Sequence, residues 1–376
     1  DGYCTDVVTN LAVDWLKKKR KDDKPFMLMV QHKAPHRNWM PALRHLKLYD
    51  DIDIPEPKTL FDKWEDNAPP ARHQEMEIDR HMDPNYDLFV DLTADFQGTP
   101  IQKRQDRSAR NNMMRMTEAQ MKAWRAHYGP RDEFLQKANL TARGFVRWKF
   151  QRYAKNYLRC VKGVDESLGR LRATLKNLKL DDNTVVIYSS DQGFYIGDHG
   201  WYDKRWMYEE SLMMPFIVSW PGVTKAGTRD THMIQNLDYA ETFLEIAGAK
   251  IPGDMQGQSL VPLLQGKSPK DWRTSIYYHY YEYPSFHMVP RHYGIRTERY
   301  KIMHFYRFGS EWEMYDLKND PDELTNIYGK KGTGKLSNDL KKQLYALQKH
   351  YGDNSNFSEM PQEWKDKVRP GTATKN

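Results

Sequence analysis

The 376-residue sequence predicts an α/β fold followed by a smaller α+β subdomain of antiparallel sheet plus helix. Three features carry that expectation. A helix, a turn and an apolar run succeed one another over 3–31. Two more apolar strands read at 184–190, after a long helical stretch, and at 215–220. Short aromatic strands over 275–317 then lead into a helix at 336–351.

In the opening segment, Val8, Leu11, Ala12, Trp15 and Leu16 share one helical stripe. The basic run Lys17 to Lys21 suits a helix C-terminus, and Lys24-Pro25 stops the chain. Phe26-Met27-Leu28-Met29-Val30-Gln31 is apolar on both faces, the pattern of a buried central strand. Residues 37–143 are dense in charge, proline and histidine, and read as an insertion with short helices over one edge of the core. A long helix is expected over 142–178, with Leu158, Val161, Val164, Leu168, Leu171 and Leu175 on its buried face. Asp181-Asp182-Asn183 turns the chain into Thr184-Val185-Val186-Ile187-Tyr188-Ser189-Ser190, the strongest strand signal present. A helix over 239–247 closes on Gly248. The expected division is 1–266 for the main domain and 267–376 for the subdomain, with a polar tail after about 362.

Hydrophobic residues make up 39% and charged residues 29%, which excludes a wholly disordered or collagen-like chain. No stretch reaches the ~20 apolar residues of a membrane-spanning helix. Cys4 and Cys160 allow at most one disulfide and no cysteine-rich zinc module. The net charge of +7 suits anionic partners. The basic residues are scattered and no base-stacking module is present, so nucleic acid is not the expected partner. Oligomeric state is left open. The chain starts at Asp1 and reads as helix almost at once, so it is expected to begin in mid-fold.

The candidate chemistry sits at two strand ends. Asp191 and Gln192, after the 184–190 strand, offer hard oxygens suited to Ca²⁺ or Mg²⁺. Lys204 offers a cation to an anionic group. Taken alone, the pair reads first as a polar strand-to-loop turn with solvated residues. His32-Lys33-Ala34-Pro35-His36 follows the 26–31 run. There an imidazole, of His32 or His36, is placed as a general acid to a leaving alcohol, or is a surface or hydrogen-bonded structural histidine. Lys33 is a candidate anion binder, or simply solvated.

Together these segments resemble the formylglycine-dependent sulfatases of the alkaline phosphatase superfamily, nearest to glycan sulfatases of the N-acetylglucosamine-6-sulfatase kind. The resemblance lies in residues 184–215, the HKAPH run, Asn236-Leu237-Asp238, Gly257-Gln258-Ser259-Leu260, and Met314-Tyr315-Asp316-Leu317 with Asp320-Pro321-Asp322-Glu323-Leu324. It implies an alkaline-phosphatase-like mixed sheet sandwiched by helices and incomplete at its N-terminus. By the same resemblance Asp191 and Gln192 are Ca²⁺ ligands, Lys204 binds sulfate and His36 is the general acid. His199, Lys33, His287, Arg291 and His292 are implied substrate contacts. The implied substrate is a sulfated carbohydrate, and the implied location is periplasmic or extracellular. Neither Cys-x-Pro-x-Arg nor Ser-x-Pro-x-Arg, the source of formylglycine, occurs in the sequence. The chain alone is therefore expected to be inactive. A phosphonate or phosphodiester hydrolase and a non-catalytic glycan-binding remnant are the alternatives.

Overall fold

The computed structural model describes residues 2–90, 108, 110–306 and 311–353. The expected polar tail after 362 lies outside the described residues. The chain divides into two compact units that interleave in sequence, 1–60, 76–184 and 196–203 in the first, 61–75, 185–195 and 204–376 in the second.

The first unit is helical. Helix α1 (Cys4–Asp14) continues into one π-type turn, Trp15–Lys19, which carries the basic run. Helix α2 (Pro84–Leu88) is capped by Asp83, and α3 (Glu118–Lys137) by a Thr117–Gln120 capping box. Helix α4 (Ala142–Asn177) starts at the Thr141 cap. Its buried face is more polar than a leucine stripe. Val164 and Leu175 are buried as expected, but Leu158, Val161, Leu168 and Leu171 are only half-buried. Lys149, Arg152 and Arg159 are buried beside them. Each finds partners that repay its loss of water. Lys149 Nζ donates to the carbonyls of Ile78 at 2.9 Å and Asp79 at 2.8 Å, and burial pushes its pKa down to about 8. The Arg152 guanidinium sits 3.6 Å over the Tyr128 ring.

One expected strand is not formed. Residues 26–31 join no ladder among the described residues, and Met27 and Met29 are each 61% exposed. A run of apolar residues becomes a buried strand only when neighbouring backbone takes up its N–H and C=O groups.

In the second unit, β1 (Val186–Ser189) and β2 (Phe216–Ser219) pair antiparallel, Val186 opposite Ser219 and Ser189 opposite Phe216. Helices α5 (Asp238–Ile246) and α6 (Val261–Leu264) follow. Strands β3 (Ser275–Tyr280), β4 (His292–Thr297), β5 (Tyr300–Phe305) and β6 (Glu311–Asp316) then form an antiparallel sheet in sequential order. Helix α7 (Gly334–His350) lays Leu340 and Leu344 on a core of Tyr293, Ile295, Ile302 and Met314. The sequence expectation for this subdomain agrees closely, because alternating aromatic strands and one amphipathic helix carry their own periodicities.

Beneath the sheet lie buried carboxyls. Lys301, fully buried, bridges Glu209 at 2.9 Å and Glu323 at 2.7 Å. Burial works against the Glu209 charge, but Lys301 and Arg296 outweigh it and hold that carboxyl at about 2. Glu313 accepts from Ala68 N and Tyr208 Oη, each at 2.8 Å. Burial outweighs these bonds and pushes its pKa from 4.5 up to about 7. A carboxyl raised in the native state stabilises the fold fully below its unfolded pKa, and that contribution is lost as pH rises through the native value. Glu313→Gln is therefore expected to gain stability over the parent between about pH 5 and about 8, on the order of 1–3 kcal/mol at the upper end. Chemical denaturation at several pH values checks this; a difference independent of pH contradicts it.

Candidate functional site

In the second unit, β1 delivers Asp191 and Gln192 at its carboxyl end. The strand end is pinned: Ser189 Oγ lies 2.6 Å from Tyr239 Oη, and the Tyr239 ring stacks on Phe216 at 5.2 Å. Asn236 Nδ2 donates to the Asp191 carbonyl at 3.3 Å, and Ser190 Oγ to Asp191 Oδ1 at 3.2 Å. Asp191 is exposed and Gln192 half-buried. The turn after them needs glycine. Gly193 N donates to Ser211 O at 2.8 Å, and a Cβ there would fall 2.0 Å from Glu210 O and 2.6 Å from Met213 O. Half-buried Lys204 accepts at its backbone carbonyl from Ser211 Oγ.

The nearby Asn236-Leu237-Asp238 and Gly257-Gln258 segments are scaffold. The fully buried Asp238 carboxylate pairs with Arg273 and accepts from Gln235 N at 2.7 Å and Gln258 N at 2.9 Å. Glu241 Oε1 accepts from Gly257 N at 2.6 Å.

Asp191 and Gln192 have the right chemistry for a hard cation, but they supply two side-chain oxygens where Ca²⁺ takes about six to eight. Among the described residues no three His, Cys, Asp or Glu side chains converge as a metal site. These residues alone do not make a calcium shell.

In the first unit, the HKAPH run forms a tight loop in which His36 N donates to Lys33 O at 2.8 Å. Lys33 and His36 are exposed, and both bond one acceptor, the backbone carbonyl of Arg37, from Nζ at 2.6 Å and Nδ1 at 2.7 Å. A carbonyl only accepts, so His36 Nδ1 carries a hydrogen. The buried Arg37–Asp87 ion pair holds that segment, and the sequence reading missed it. Fifty residues separate the partners and no periodicity links them. The arginine directly after the HKAPH run was the available signal.

The remaining candidates are buried. His199 is 1% exposed, with a left-handed φ of 56°; its N–H donates to Thr59 Oγ1 at 2.8 Å and its ring packs 5.5 Å from Trp201. His287 exchanges bonds with the Glu75 backbone, Nδ1 to O at 2.7 Å and Glu75 N to His287 O at 2.6 Å. Arg291 Nη2 donates to Tyr283 O at 3.0 Å. His292 has no solvent contact and lies among Trp206, Tyr280 and Phe305, and burial pushes its pKa down to about 3. The structure thus brings Lys33 to His36 and groups Asp191 with Gln192, while His199, His287, Arg291 and His292 are buried in the contacts given above.

Two family models match. One described as Sulfatase covers residues 1–249, and one described as N-sulphoglucosamine sulphohydrolase, C-terminal, covers 197–350. Over 355 residues the chain is 44% identical to an N-acetylglucosamine-6-O-sulfatase of Bacteroides thetaiotaomicron, covering 94% of this chain and 62% of that protein. It is 26% identical over 327 residues to an arylsulfatase of Clostridium perfringens, covering 86% of this chain and 53% of that protein. A solved structure of a protein in complex with its substrate D-glucosamine-2-N,6-O-disulfate superposes with a TM-score of 0.89 at 42% identity, covering 96% of this chain and 72% of that one. The chain thus spans between about half and two thirds of the length of these curated relatives.

Gly193→Ala is expected to lower the unfolding free energy by at least about 2 kcal/mol, because backbone oxygens on two sides leave the new methyl no space. Thermal or urea unfolding checks it; an unchanged midpoint contradicts the close approach.

Proposed function

This chain belongs to the sulfatase family, with the alkaline-phosphatase-like fold of that family, and from that premise we propose that it is the greater part of a sulfatase acting on a sulfated carbohydrate. The match that supports this most directly is the 44% identity to an N-acetylglucosamine-6-O-sulfatase over 94% of the chain. The substrate we assign is a 6-O-sulfated glucosamine. We assign the turnover to the whole protein, because the 376 residues contain no formylglycine motif.

The family in general works with a formylglycine and a divalent metal, which supply a nucleophile and charge stabilisation for sulfate. We assign Ca²⁺ as that ion, with Asp191 and Gln192 contributing two of its oxygen ligands. Lys204 is assigned as a fixed positive charge for the sulfate. His36 is the proton donor to the departing sugar oxygen. With Nδ1 already committed to the Arg37 carbonyl, Nε2 is the nitrogen that carries the transferable proton. Lys33, on the same carbonyl, adds a positive charge beside it. His199, His287, Arg291 and His292 are assigned as substrate contacts, on the family resemblance. We place the protein in the periplasm or outside the cell; among the described residues no helix is long and apolar enough to cross a membrane.

A sugar alkoxide is a poor leaving group and needs its proton, whereas a nitrophenolate does not. In the whole protein, His36→Ala is expected to slow sulfate release from 6-O-sulfated N-acetylglucosamine by about 10²–10⁴-fold and release from nitrophenyl sulfate by no more than about tenfold. Equal losses on both substrates contradict the role of His36, and no sulfate release by the unsubstituted protein overturns the proposed function. Chelation is expected to abolish turnover and Ca²⁺ to restore it; unchanged turnover after exhaustive chelation contradicts the metal assignment.

A further inference from the structure

We propose that Asp87 and Arg37 are positioning residues, a buried pair whose task is to aim one backbone carbonyl so that it sets the ring tautomer of His36 and tethers Lys33 beside it. As it bears on catalysis, this rests on the reading of His36 as the proton donor; the clamp itself stands on geometry alone.

The Arg37 guanidinium forks onto the Asp87 carboxylate, Nε to Oδ1 and Nη2 to Oδ2, the second bond at 2.9 Å. The side chains are 6% and 0% exposed. Burial opposes the Arg37 charge, but Asp87 outweighs it and raises the guanidinium pKa, so the charge persists. Two rings close the box, Tyr86 at 4.8 Å and Tyr202 at 5.3 Å from the guanidinium carbon. Asp87 is itself fixed. Its Oδ2 also accepts from Asp83 N at 2.8 Å, at the start of the short helix that Asp83 caps.

This anchor carries no exposed atoms to a ligand, yet the residue it immobilises supplies the acceptor for both exposed groups of the loop. Trp39 locks the other side of the loop, donating from Nε1 to Pro35 O at 2.8 Å, with its fully buried ring 4.5 Å from Tyr153. An imidazole on a free loop interchanges its tautomers. One held against a fixed carbonyl keeps hydrogen on Nδ1 and presents Nε2. A lysine on the same oxygen cannot swing away, which keeps its charge at a constant distance from the imidazole. Preorganisation of this kind removes the reorganisation that an exposed pair would undergo at each turnover.

The test reads the tautomer directly, by ¹⁵N NMR of the imidazole in uniformly labelled chain above the His36 titration. The neutral His36 ring is expected in the Nδ1–H form. In Asp87→Ala the Nδ1–H fraction is expected to fall at least about twofold. That variant leaves a buried guanidinium unpaired, so Arg37→Met with Asp87→Met provides the folded comparison, because it removes both charges together. A wild-type ring in the Nε2–H form overturns the proposal, as does an unchanged tautomer in a folded double variant. In the whole protein, the double variant is expected to lower kcat for the sugar sulfate about tenfold or more while leaving nitrophenyl sulfate turnover nearly unchanged. A tautomer shift with no effect of either His36→Ala or the double variant on the sugar sulfate supports the clamp and refutes His36 as the proton donor.

Discussion

The geometry of the HKAPH loop depends on one constraint: the Arg37–Asp87 ion pair has almost no contact with water. Charges removed from solvent must stay paired, and separating such a pair costs roughly 3–5 kcal/mol. The pair therefore fixes the peptide at residue 37, and the carbonyl there is held with it. Lys33 and His36 are exposed, but each bonds that carbonyl. Solvent access and rigidity are combined by placing mobile side chains on an immobile acceptor.

The second unit applies the same physics differently. Asp238 and Glu241 are buried carboxylates that accept from backbone N–H groups at 235, 258 and 257, which stiffens the turns around α5. Gly193 lets backbone approach backbone closely where the chain leaves β1, just after Asp191 and Gln192. The turn that carries these two residues is shaped by strand pairing and by excluded volume at Gly193.

Much of this was legible in the sequence. The C-terminal sheet and helix match within a residue or two, since each strand alternates and its pairing partners are adjacent in the chain. The 184–190 and 215–220 strands were equally plain. The 26–31 run misled because apolar composition reports a wish for burial, and the partners that would grant it are not coded in the run itself. The face of α4 misled for the converse reason: Lys149, Arg152 and Arg159 look like solvent residues until carbonyls and a tyrosine ring are seen to receive them. Tyr278 and Tyr280 pack against His292 on the neighbouring strand, a contact that only the sheet register brings about. Asp191 and Gln192 were singled out because they follow the 184–190 strand, and His36 because it follows the apolar 26–31 run. Arg37–Asp87 was not, because contacts 50 residues apart leave no local pattern.

Membership of the sulfatase family and a close structural match to a protein bound to a disulfated glucosamine make sulfate esters the natural substrates to examine. Sulfate and phosphate esters are near in shape and differ in charge, so the choice between them tests the account at its centre. The most direct measurement compares kcat/KM of the whole protein for 6-O-sulfated N-acetylglucosamine with that for the corresponding 6-phosphate under identical conditions. The account predicts release of inorganic sulfate with a clear preference for the sulfate ester; a preference for the phosphate ester would contradict it.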